Sequence, residues 1–250
     1  MDSMHRLAIS ALAASAVAAA PALAADSGSG AATDPATPHY VKLSNETTLT
    51  RWAYTNLTVK VRKSPSTRAR AITKLHFNTE DGYPEVYLAL QEYTNGDNVD
   101  WVKIRIPGRP NGRTGWVPRE GLGELHLTHD QLVVNRRTLR ATLYRNGKKI
   151  FSAPVGVGKA STPTPGGHFW IRERLTWQKR YGDVYGPLAF GTADYSRLSD
   201  WPGGGVVGVH GTNEPALVPG RPSHGCIRMH NKDIVRLGRL MKVGTPLLVI

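Results

Sequence analysis

Cys226 is the only cysteine in the 250 residues, so it has no disulfide partner within its own chain. Its reactivity then becomes the leading explanation for its presence. The residue lies in Ser223-His224-Gly225-Cys226-Ile227-Arg228-Met229. If that segment is extended, alternation places His224, Cys226 and Arg228 on one side and Ile227 and Met229 on the other. One face anchors in apolar packing, and the opposite face offers a thiol, an imidazole and a guanidinium. A thiol with an ordinary pKa near ~8.5 is mostly protonated at neutral pH, so a nucleophilic role needs a base or a positive neighbour. His210 is the best base, because it ends the apolar run Val206-Val207-Gly208-Val209 at the rim of a loop that returns to Cys226. Gly211 and Gly225 let backbone approach a substrate closely, and the amides of Gly225 and Cys226 can form an oxyanion hole. Two other readings use the same residues. Cys226 can be an inert buried thiol, or a zinc ligand together with His224, His230 or His210. The second reading lacks the paired, closely spaced ligands of structural zinc, and neither a metal nor a cofactor is expected.

The elements that must position these groups are mostly strands. Leu57, Val59 and Val61 alternate with polar residues, and Val86–Leu90, Trp101–Ile106 and Thr114–Val117 read as further strands. Turns are expected at Ser64-Pro65-Ser66, Asn95-Gly96, Pro107-Gly108 and Asn111-Gly112. Beyond Leu125, strands are expected at Leu127–Val134, Arg140–Tyr144, Lys149–Val157, His168–Arg172, Gly205–His210 and Leu247–Ile250, with a hairpin at Asn146-Gly147. Asn231–Met241 places Ile234, Leu237, Leu240 and Met241 on one helical face. Asn231 suits the cap of that helix, and Asp233 its positive end.

His5 and Arg6, the apolar run Leu7–Ala20 and the small residues Ala22-Leu23-Ala24 read as a signal peptide over residues 1–24. The run is shorter than a spanning helix needs, and no later stretch is long and apolar enough, so no transmembrane segment is expected. Residues 25–50 read as a flexible linker, and the chain as exported to the cell envelope, periplasm or extracellular wall. The net charge is +13, and loss of residues 1–24 leaves it unchanged, since only Asp2 and Arg6 go with them. Such a field favours anionic partners, and anionic wall polymers are the first an exported protein meets. The basic residues are scattered rather than gathered in a stripe, which argues against nucleic acid.

Two resemblances follow. Val59-Lys60-Val61-Arg62 with Ser64-Pro65-Ser66, Trp101-Val102-Lys103-Ile104 and Gly112-Arg113-Thr114-Gly115-Trp116-Val117 resemble bacterial SH3-like domains, which implies a small barrel over 51–124 that docks wall peptides or its own catalytic partner. His210 followed by Ser223-His224-Gly225-Cys226 resembles the L,D-transpeptidase catalytic domain, also called the YkuD domain. Leu143-Tyr144-Arg145-Asn146-Gly147-Lys148, Pro154-Val155-Gly156-Val157-Gly158 and Thr162-Pro163-Thr164-Pro165-Gly166-Gly167-His168-Phe169 agree as well. That resemblance covers 125–250. It implies a mainly β chain with one C-terminal helix, a Cys226 acyl-enzyme formed with a peptidoglycan tetrapeptide stem, and a crosslink between third-position residues. It also implies His224 shaping the pocket, Arg228 holding a stem carboxylate, Ser223 on the substrate side, and the Gly211 carbonyl orienting His210. Glu214 is the nearest acid in sequence, and a side-chain partner from elsewhere is equally compatible. The alternatives in function are an L,D-carboxypeptidase that releases D-alanine, a non-catalytic wall-binding protein and a metal-dependent hydrolase. Tyr181, Tyr185 and Trp201 sit where a substrate lid can form, and also read as ordinary aromatics.

Overall fold

Runs of alternating apolar and polar residues build two sheets in the computed structural model, which describes residues 39–94, 100–176, 182–200 and 202–250. The chain is mainly β with one α-helix. The first sheet holds β1 (His39–Lys42), β2 (Thr50–Tyr54), β3 (Lys60–Arg62), β4 (Ala71–Lys74), β5 (Val86–Thr94), β6 (Asp100–Arg105), β7 (Thr114–Pro118) and β8 (His126–Thr128). Its order is β4-β3-β7-β6-β5-β2-β8, with β1 also on β5, and all its pairings are antiparallel. One edge of the long β5 serves two partners, β2 along Val86–Ala89 and β1 along Gln91–Thr94, and the other edge pairs with β6.

The second sheet holds β9 (Asp130–Asn135), β10 (Arg140–Arg145), β11 (Lys148–Pro154), β12 (Gly156–Gly158), β13 (Gly167–Leu175), β14 (Ala189–Tyr195), β15 (Val206–His210), β16 (Gly220–Ser223), β17 (Ile227–Arg228) and β18 (Pro246–Val249). Their order is β11-β10-β9-β18-β13-β14-β15-β17-β12-β16. Three pairings are parallel: β9 with β18, β15 with β17, and β12 with β16. Helix α1 (Asn231–Leu240) buries Ile234 and Leu237 completely, and each such side chain contributes about 1.5–3 kcal/mol of transfer free energy.

The two sheets share a core. Trp52, Val86 and Leu88 from the first pack in the same apolar cluster as Trp170, Phe190 and Leu247 of the second, and the indole N–H of Trp170 donates to the Val86 carbonyl at 2.7 Å. Next to this seam Arg172 and Glu85, both almost fully buried, form an ion pair that is completed by Glu80 and the Tyr195 hydroxyl.

Several expectations are corrected. The stretch read as linker is ordered from His39 onward: β1 pairs with β5, and Asn45 Oδ1 accepts the N–H groups of Thr47, Thr48 and Leu49 in a tight turn. Leu57 lies outside the strand expected there, which begins at Lys60; its side chain is exposed and its N–H bonds to the Gly121 carbonyl. The single strand expected over Leu127–Val134 is broken at His129, which donates to the Thr48 carbonyl as the chain passes from one sheet to the other. Asn231 does not cap α1, since His230 holds the cap position and Asn231 Oδ1 is taken by the Thr212 N–H at 2.8 Å. The signal peptide, residues 25–38, the Asn95-Gly96 turn, Tyr181 and Trp201 lie outside the described residues.

Candidate active site

Parallel pairing of β15 with β17 puts Val209 beside Ile227 and His210 beside Arg228, so Cys226 comes opposite Gly208. Residues 208, 210, 226 and 228 then share one face, because side chains alternate along a strand. Val209, Ile227 and Met229 point the other way and are fully buried. The expected alternation therefore holds over 226–229, where Ile227–Arg228 is regular strand, while Ser223 ends β16 on the other side of the turn. Gly225, with φ of 135°, turns the chain just before the sulfur, a backbone that L side chains rarely adopt.

Gly208 is the residue that the sequence reading missed. Its N–H points at Cys226 Sγ, 3.4 Å away. A Cβ there would lie 3.5 Å from His210 Cδ2 and 3.9 Å from Cys226 Sγ, so the missing side chain is the space that imidazole and thiol share. The signal was present in the sequence, since a lone glycine within an apolar strand marks a close approach.

His210 is 2% exposed, and its Nδ1 lies 2.6 Å from the Gly211 carbonyl. A carbonyl only accepts, so Nδ1 carries the proton and Nε2 keeps a free lone pair. Tyr185 packs edge-on against the ring at 4.8 Å and lines the same cleft as Cys226. Burial drives the His210 pKa down to about 4; the Gly211 hydrogen bond opposes this and the Arg228 charge adds to it. Burial raises the Cys226 thiol, and nearby Asp194 raises it further, while the Gly208 N–H and Arg228 pull it back down. At neutral pH the pair therefore rests as thiol and neutral imidazole.

The remaining expected side chains, those of Ser223, His224 and Arg228, line the same cleft as Cys226 and His210 and differ in their partners. His224 is exposed on the rim, with Lys159 Nζ 3.2 Å from its Nε2. Arg228 lines the cleft, but its Nη1 is held by Glu214 at 2.6 Å. Ser223 also lines the cleft, and its hydroxyl is engaged within the turn. Only 1% exposed, it donates through Oγ to the Cys226 carbonyl at 2.6 Å and accepts the Gly225 N–H at 3.1 Å, closing the turn. The Gly225 N–H, expected to serve an oxyanion, is engaged by Ser223 Oγ, and the Gly211 N–H is spent on the Leu188 carbonyl. His230 Nε2 faces the carbonyls of Pro215 and Val218, at 3.2 and 3.1 Å, not the sulfur. Among the described residues no three His, Cys, Asp or Glu side chains are gathered as metal ligands, and no helix is long and apolar enough to cross a membrane.

Residues 129–249 match the L,D-transpeptidase catalytic domain family, YkuD. The chain is 34% identical over 144 residues to YkuD of Bacillus subtilis (strain 168), a protein named as an L,D-transpeptidase; the match spans 57% of this chain and 71% of that one. YqjB of the same organism, named likewise, is 32% identical over 139 residues, spanning 51% of this chain and 76% of that one. The solved structure of Bdellovibrio bacteriovorus Bd1075 aligns at 30% identity over 49% of this chain and 48% of its own, with a TM-score of 0.40.

Proposed function

Because this chain belongs to the L,D-transpeptidase catalytic domain family, we propose that it is a cysteine-dependent peptidoglycan L,D-transpeptidase. The observation that carries the reading is the tautomer of His210, whose Nδ1–H is spent on Gly211, leaving Nε2 as an acceptor on the face it shares with the Cys226 thiol. A resting neutral pair implies that proton transfer accompanies attack. Cys226 Sγ forms a bond to the carbonyl carbon of the third stem residue as its proton passes to His210 Nε2. The resulting oxyanion needs main-chain donors, and with the Gly225 N–H occupied the Cys226 N–H is assigned that role. Collapse breaks the C–N bond, the imidazolium returns its proton to the departing D-alanine amine, and a thioester remains. The side-chain amine of an acceptor stem then attacks the thioester and loses a proton to His210, the C–S bond breaks as the new amide forms, and the imidazolium returns that proton to Cys226 Sγ.

His224 and Tyr185 border the cleft and are assigned to shaping the donor site. A stem carboxylate on Arg228 would have to compete with Glu214, so the arginine is assigned chiefly to the charge near the sulfur. Export to the envelope is part of this proposal, supported by the apolar and small residues of 1–24 and by a net charge of +13 suited to anionic wall polymers. The first sheet is proposed as the SH3-like module that docks wall peptides.

The test is incubation of the wild type and Cys226→Ala with disaccharide-tetrapeptide. Wild type is expected to release D-alanine and form crosslinked dimer, and the variant neither. Tripeptide without dimer would replace the reading with carboxypeptidase, and unchanged turnover by the variant would remove Cys226 from the mechanism.

A further inference from the structure

The first sheet reaches the wall of the sulfur's cleft through the loop between β6 and β7. There Arg109 donates from Nε and Nη2 to the Ser196 carbonyl at 3.1 and 2.7 Å, from Nη2 to the Leu198 carbonyl at 3.2 Å, and from Nη1 to the Gly204 carbonyl at 2.9 Å. Asn111 Nδ2 donates to Asp194 Oδ1 at 2.9 Å and to the Tyr195 carbonyl at 3.0 Å, while its Oδ1 accepts the Tyr195 N–H at 3.2 Å. The receiving chain is shaped for this guanidinium. Gly205 has φ of 81°, and a Cβ on it would lie 2.0 Å from the Leu198 carbonyl oxygen and 2.5 Å from Arg109 Nη2. Ser196 in turn meets the nucleophile's turn, its Cβ lying 3.1 Å from where a Cβ on Gly225 would be. Ser196, Val206 and Val207 line the cleft around Cys226.

We infer that Arg109 and Asn111 are positioning residues for the active site, holding the Ser196 side of the cleft against the Gly225-Cys226 turn and so setting how far the sulfur is closed off. The inference rests on reading Cys226 as the nucleophile. It assigns the first sheet a part in the reaction that is separate from any wall docking. The sheets have other attachments, in the Arg172–Glu85 pair and the shared apolar core, so loss of Arg109 should loosen the wall without parting them.

Loosening has a particular signature. Arg228 from β17 and Asp194 from β14 act on the sulfur electrostatically, neutral His210 from β15 shares its face, His224 and Tyr185 border the same cleft, and burial holds the thiol up. Cys226 is half-buried in the cleft, and further water beside Ser196 lowers the thiol's pKa and exposes it more to small reagents. The same change misplaces a wall that a bulky stem peptide needs. Reactivity toward a small probe should therefore rise while productive substrate binding falls.

The experiment uses the full chain as wild type, Arg109→Ala, Arg109→Lys and Asn111→Ala. Iodoacetamide alkylation of Cys226 is followed by intact mass across pH, beside kcat and KM for D-alanine release from tetrapeptide. Arg109→Ala is expected to alkylate about three- to tenfold faster at neutral pH, with its profile displaced to lower pH. KM should rise by about fivefold with a smaller change in kcat, and Arg109→Lys should fall between Arg109→Ala and wild type. Alkylation profiles that superimpose on the wild type would overturn the inference. So would alkylation that slows in step with turnover and thermal stability, which marks a merely structural role. If the wild type releases no D-alanine, the transpeptidase reading fails while the alkylation comparison still decides the positioning one.

Discussion

The two sheets use the same kinds of strand and differ in how the chain returns to itself. In the first, β5, β6 and β7 pair in sequence order and every pairing is antiparallel. In the second, three parallel pairings bring together strands from distant parts of the chain, and one of them, β15 with β17, sets His210 beside the Cys226 segment. A parallel pair requires a crossover, so it juxtaposes residues that no hairpin can. The proposed nucleophile and its base are brought together by such a crossover. The contributions of the first sheet are mechanical: a shared core, a buried ion pair and a loop braced against the cleft.

The contrast breaks most sharply at the sulfur. Cys226→Ala is expected to lower D-alanine release by about four orders of magnitude or more while leaving the urea midpoint nearly unchanged. His210→Gln should slow acylation by about 10²–10⁴-fold, read as single-turnover adduct formation by mass. In the wild type, burial holds His210 down to about 4, so the imidazole stays neutral above that pH. The acid limb of kcat/KM is then expected near 4 rather than near the ordinary histidine value of about 6.5.

The seam should answer in stability first. Glu85→Gln leaves the buried Arg172 short of its partner and is expected to lose about 3 kcal/mol in urea unfolding, with turnover per folded molecule largely retained. A smaller effect belongs to Asp194, whose carboxyl is fully buried, with one oxygen unpartnered, and whose pKa is raised by burial to about 8. The folded state thus keeps a proton that the unfolded chain releases near pH 4, so stability falls as pH climbs from there toward 8. Asp194→Asn should flatten that slope in thermal melts. Smallest in stability is Gly208→Ala, where every new contact is ordinary van der Waals distance. It should melt within about 1 kcal/mol of wild type yet acylate roughly tenfold more slowly, because a methyl enters the space between ring and sulfur.

Much of the site was legible in the chain itself. Cys226 and His210 stood out by residue type and spacing, and alternation correctly separated Cys226 and Arg228 from Ile227 and Met229. Ser223 lines the cleft as its position suggested, but that its hydroxyl closes the turn onto the Cys226 carbonyl was not legible, because that depends on the folded backbone. Gly208 was passed over as part of an apolar run. The break at His129, where the chain changes sheets, had a signal that was passed over, since the polar residues from Thr128 to Gln131 interrupt the apolar pattern.

Residue types and periodicity determined a mainly β chain with one amphipathic helix, a lone thiol, and an imidazole at a strand end. Tertiary structure decided which nitrogen of His210 is free, which amides near Cys226 are already occupied, and that Arg109 and Asn111 of the first sheet grip the cleft's wall. Side-chain period is a local property that any strand carries in its sequence. Hydrogen-bond occupancy and burial depend on which distant strand arrives alongside, and that is settled only when the parallel crossovers close.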